Sequence, residues 1–70
     1  MQTPNAKHRR IEPPQVLITK ARALIAEGGV QAAARRLNLG REATLAIAAG
    51  ARVDRGTLAI AERALEVELP

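Results

Sequence analysis

The reactive inventory of this 70-residue chain is short: eleven Lys and Arg, seven Asp and Glu, one histidine, no cysteine and no serine. A nucleophile needs a neighbouring base, and a zinc site needs several imidazoles or thiolates. His8 alone supplies neither, and Gly28-Gly29 is too short and lacks the lysine of a phosphate-binding loop. The expectation is therefore no enzyme, no cofactor and no metal. What these residue types can do is bind anions, because a guanidinium presents a planar fork of N–H donors to phosphate or to the edge of guanine.

The cations are unevenly placed. Residues 1–41 carry eight (Lys7, Arg9, Arg10, Lys20, Arg22, Arg35, Arg36, Arg41) against Glu12 and Glu27, a balance of +6. Residues 42–70 carry Arg52, Arg55 and Arg63 against five acids, a balance of −2, which leaves the chain at +4 with a pI near 11.2. A basic half of this kind favours an anionic partner. No signal peptide or apolar run near ~20 residues is present, so the expectation is a cytoplasmic, nucleoid-associated protein with no membrane partner and no small-molecule substrate.

Residues 1–12 have no hydrophobic period and read as a flexible basic arm holding Lys7, Arg9 and Arg10. Residues 13–70 form the single domain. Pro13-Pro14 opens a first helix, with Leu17, Ala21, Leu24 and Ile25 at helical spacing and Gly28 as its left-handed cap. Val16 and Ile18 fall off that stripe, where a partner subunit could cover them. A second helix runs over 30–37, with Val30, Ala33, Ala34 and Leu37 inward. Asn38 suits the left-handed turn that follows, Leu39 plugs the corner, and Gly40 stands at the N-cap of a third helix over 41–49 that Gly50 stops.

After a loop over 51–53, Asp54 caps a last helix with Leu58, Ala61 and Leu65 inward. The sum is an all-α fold: a bundle of four or five short helices containing a helix–turn–helix. Units of this length place one helix in a DNA major groove.

The run Ala33-Ala34-Arg35-Arg36-Leu37-Asn38-Leu39-Gly40-Arg41-Glu42-Ala43-Thr44 resembles the helix-turn-helix of lambda-repressor-like DNA-binding domains. The tail from Thr57-Leu58 through Ala61, Ala64, Leu65 and Val67 is similar to the final helix of the same domains, and the likeness spans 16–67. The resemblance implies that the helix over 41–49 lies in the major groove. Arg41, Glu42, Ala43 and Thr44 would then approach base edges, with Gln31, Arg35, Arg36, Arg52 and Arg55 near phosphate. Arg41 could donate two hydrogen bonds to guanine, Glu42 could accept from cytosine, and Thr44 could meet a thymine methyl or turn into the core. The arm would lie along phosphates or enter a minor groove.

Size adds one further expectation. A chain this short with no aromatic residue builds its core from alanine and aliphatic side chains, and domains of this size commonly gain stability from a staple or a partner. With no disulfide or metal available, self-association is the expected supplement. Ile60, Ala64 and Val67 make a second apolar line on the last helix and are the expected homodimer interface. The functional expectation is a sequence-specific DNA-binding transcriptional regulator, a repressor that acts on double-stranded DNA by operator occupancy as a homodimer. The alternative is a protein–protein interaction module, adaptor or antitoxin-like, that keeps the fold and uses the apolar third helix as its interface.

Overall fold

Pro14 sets where the first helix starts. Its ring fixes an extended φ of −62° with ψ at 149°, and its carbonyl accepts the N–H of Leu17 at 3.0 Å and of Ile18 at 3.1 Å. The structure, a computed structural model, describes residues 10–66; Lys7, Arg9 and Val67 lie outside the described residues. Among the described residues there are three helices and one pair of very short strands: β1 (Arg10–Ile11), α1 (Gln15–Leu37), α2 (Arg41–Ala48), β2 (Val53–Asp54) and α3 (Arg55–Ala64).

The expected count of four or five helices is thus corrected. The first two expected helices are the two arms of α1, which bends at Gly29 (φ 89°, ψ 171°), within the break expected at 28–29. That backbone conformation is essentially confined to glycine. Gly28, expected to be the left-handed cap, instead stays helical. A Cβ there would sit 3.0 Å from the Ala32 Cβ, so its bare α-carbon lets the chain turn back closely on itself. One residue of kink redirects α1, and both of its arms then reach the same core.

That core is Leu17, Ala21, Leu37, Ile47, Val53, Leu58, Ala61 and Leu65, drawn from all three helices and β2. Ile11, Leu24, Leu39, Ala46 and Ala48 pack against it. Ala21, Ala33 and Ala61 are fully buried, so the helix axes can approach closely where a larger side chain would hold them apart. Ile18 is buried and only Val16 of the off-stripe pair is exposed, which removes Ile18 from any partner surface.

Residues 10 and 11 of the expected arm, and Val53 of the expected loop over 51–53, lie in strands, while residues 1–9 lie outside the described residues. β1 and β2 pair antiparallel, Arg10 opposite Asp54 and Ile11 opposite Val53. The cause is apolar: Ile11 packs on the core and pairs with the buried Val53, and Pro13 is buried as well. Arg10 Nε lies 3.9 Å from Asp54 Oδ1, with both side chains well exposed, a geometry that contributes little stability. Asp54 does occupy the N-cap position of α3, but its carboxylate makes no capping hydrogen bond and stands opposite Arg10 instead.

Candidate nucleic-acid interface

The connection between α1 and α2 is built by backbone hydrogen bonds. Asn38 takes the left-handed conformation (φ 60°, ψ 39°). Its N–H donates to the Arg35 carbonyl at 3.2 Å, and the Leu39 N–H donates to the Ala34 carbonyl at 3.0 Å. This pair of bonds is the Schellman closure, and the half-buried Leu39 supplies the hydrophobic contact that accompanies it. Gly40 returns to an extended conformation and α2 begins at Arg41.

α2 ends by the same device. Gly50 has φ 78°; its N–H donates to the Ile47 carbonyl, and the Ala51 N–H donates to the Ala46 carbonyl, both at 2.9 Å. A third restraint comes from a residue that the sequence reading assigned only to the basic half. Arg22 on α1 donates from Nε to the Ala48 carbonyl at 2.7 Å. It thereby satisfies an otherwise orphaned carbonyl and places positive charge at the negative end of the helix. The signal in sequence was nothing more than an arginine off the apolar stripe, so only the three-dimensional arrangement finds it.

Held this way, α2 has two distinct sides. Thr44 and Ile47 are fully buried, whereas Arg41, Glu42, Leu45 and Ala49 are exposed and Ala43 and Ala46 are half-buried between them. Thr44 leaves the set of expected base contacts. It is 0% exposed, and its hydroxyl donates to the Gly40 carbonyl at 2.9 Å, so it closes the first turn of α2 from the inside. Leu45, which the sequence reading did not place at the outer surface, is 42% exposed.

Two open grooves flank α2. The one on the turn side is lined by Gln31, Ala34, Arg35, Asn38, Leu39 and Arg41. It contains two guanidinium groups and no acid. The one on the opposite flank brings Arg10, Glu42, Arg52 and Asp54 together with Ala43, Ala46 and Thr57. Its two cations face two anions, so its formal charge is zero. The expected contact residues Gln31, Arg35 and Arg41 are therefore gathered in one cationic groove, and Glu42, Ala43 and Arg52 in a balanced one.

Arg36 is not gathered with them. It lines a separate groove with Leu24, Glu27, Gly28 and Ala32, next to the α1 kink. Arg55 is exposed at the start of α3 and lines neither groove beside α2. On α3, Ile60 is 44% exposed and Ala64 is half-buried.

Among the described residues no group of His, Cys, Asp and Glu could hold a metal ion, and no helix is long and apolar enough to cross a membrane. Comparison with protein-family models, with curated proteins and with solved structures finds no match to the chain.

Proposed function

We propose that this protein is a sequence-specific DNA-binding regulator in which the second arm of α1, the Asn38 turn and α2 act together as a helix-turn-helix, with α2 in the major groove. The observation that carries the reading is the placement of Arg41. It stands exposed in the first turn of α2, on the rim of a groove whose other charged residue is Arg35. An arginine at that place on a helix can reach a guanine edge while its neighbour holds phosphate.

Within this reading Arg41 is the base-reading residue, and Glu42 is a second candidate beside it. Gln31 and Arg35 hold the backbone on the turn side, and Arg52 and Arg10 hold it on the other. The arginines Arg36 and Arg55 contribute general charge. Occupancy of an operator is the simplest mode of action for a domain this small. The exposed Ile60 supports pairing of two copies through α3, which would set two α2 helices in successive major grooves about 34 Å apart.

The test is selection of bound duplexes from a random pool by the full chain at about 50 mM salt, where phosphate contacts are strongest. The expected product is a two-fold symmetric motif with half-sites about one helical turn apart. Arg41→Ala is expected to relax the preference at one position of each half-site. Arg35→Ala is expected to weaken all duplexes alike and to lower the salt slope by about one. A single asymmetric half-site refutes the homodimer, and no binding to any duplex under these conditions refutes the DNA reading.

A further inference from the structure

The outward side of α2 changes character after its first turn. Arg41 and Glu42 are charged, but the next exposed positions on that side are Leu45 and Ala49, with Ala46 half-buried beside them. Leu45 is one of three large aliphatics in the described residues that remain well exposed, the others being Val16 and Ile60. Of the three it alone lies on α2, which has a cationic groove lined by Arg35 and Arg41 on one flank and a charge-balanced one lined by Arg10, Glu42, Arg52 and Asp54 on the other.

An exposed apolar side chain beside a cationic, acid-free groove matches one surface well. In the DNA major groove, the C5-methyl of thymine is an apolar knob set between two phosphate backbones, and no other base offers it. We propose that Leu45, with Ala49 behind it, reads thymine methyl groups, so that the specificity of α2 is divided between a polar first turn and an apolar second turn. This inference rests on the DNA-binding reading above and adds a residue and a base class to it.

The helix geometry makes the division quantitative. Four residues advance an α-helix by about 6 Å, and successive base pairs are spaced about 3.4 Å apart along the duplex. With α2 running along the groove, Leu45 reaches a base about two steps from the one that Arg41 contacts. The expected half-site therefore has a guanine and a thymine, or the thymine of an A·T pair on the other strand, about two steps apart.

The competing occupant of the same apolar side is another protein, and one experiment separates the two. The duplex selected by the full chain is resynthesised with deoxyuridine in place of each thymine in turn, which removes only the methyl group. At one position per half-site, wild-type protein is expected to lose affinity by about fourfold, the effect of withdrawing one buried carbon. Leu45→Ala is expected to bind the thymine duplex more weakly and to show no further loss on uracil. Leu45→Met, which keeps an apolar side chain of similar volume, is expected to retain the discrimination.

Leu45 is partly exposed and alanine favours helix, so circular dichroism of Leu45→Ala should match wild type and exclude misfolding as the cause. Sequence-specific binding with equal affinity for thymine and uracil at every position overturns the methyl-reading proposal and leaves the DNA-binding reading standing. An unchanged uracil penalty in Leu45→Ala also overturns it, because the methyl is then read by another residue. Failure to bind any duplex overturns both.

Discussion

Replacing Gly29 by alanine tests the feature on which the arrangement of the helices depends. Gly29 has φ 89° and ψ 171°, a region in which an L-residue is strained by about 1–3 kcal/mol. A Cβ built there meets no atom within 4 Å, so crowding adds nothing and the whole effect is backbone strain. The chain could avoid that strain by straightening α1 into one continuous helix, where alanine is favoured over glycine by about 1 kcal/mol. Straightening, however, would carry Ala33, Ala34 and Leu37, all buried, out of the core they share with Leu17 and Ala21. The loss of one buried leucine alone costs about 2–5 kcal/mol.

The strained, bent form therefore wins, and Gly29→Ala is expected to lose about 2 kcal/mol. A domain of this length has about 4–10 kcal/mol in total, and each kcal/mol lost lowers Tm by about 4–8 °C. Thermal and urea unfolding followed by circular dichroism should thus show a fall of roughly 8–16 °C with little change in native helix signal. Gly56→Ala is the matched control, because Gly56 lies within α3 with open space around it and alanine there should stabilise rather than destabilise. Equal stability of Gly29→Ala and wild type would refute the reasoning, since it would mean that position 29 carries no positive-φ requirement.

Three other perturbations follow from single contacts. Arg22→Ala removes the bond to the Ala48 carbonyl and should destabilise by about 1 kcal/mol, read as a lower urea midpoint; no shift in midpoint would show that the contact is idle in solution. Thr44→Val keeps the buried shape, and the Gly40 carbonyl retains the Thr44 N–H at 3.1 Å, so stability should change by less than about 1 kcal/mol and base preference not at all. An altered selected motif in that variant would return Thr44 to the DNA surface. Gly40→Ser supplies the side-chain cap that α2 lacks and restricts the unfolded chain, so Tm should rise by the equivalent of about 0.5–1 kcal/mol. A lower Tm would contradict the cap geometry.

The residues that mark turns were the most legible part of the sequence. Asn38 and Gly50 hold the two positive-φ positions that close α1 and α2, because local backbone sterics admit few other residues there. Helical spacing likewise identified Leu17, Ala21, Ala33, Ala34, Leu37, Leu58, Ala61 and Leu65 as buried positions, since periodicity is a property of the chain itself. The glycine pair at 28–29 was legible as a break, but its form was not. The two glycines serve different ends: a Cβ at Gly28 would lie 3.0 Å from that of Ala32, whereas Gly29 takes the positive φ of 89°.

Tertiary packing decided the rest. The rotation of α2 against the core buries Thr44, and the local Gly40 carbonyl at 2.9 Å satisfies its hydroxyl there. The same rotation of α2 put Leu45 outside. Arg10 and Ile11 carry no strand signal of their own; they pair because Val53, some forty residues along the chain, offers Ile11 an apolar neighbour. Arg22 could not be linked to Ala48 by any local rule, for that bond spans 26 residues. Composition and spacing therefore determined that the chain is helical, where α1 and α2 end, and that the cations lie mostly in residues 1–41. The folded chain determined which side of α2 faces out and which arginines share a groove with it, because those depend on how one helix is rotated against another, and no local property of the sequence encodes that rotation.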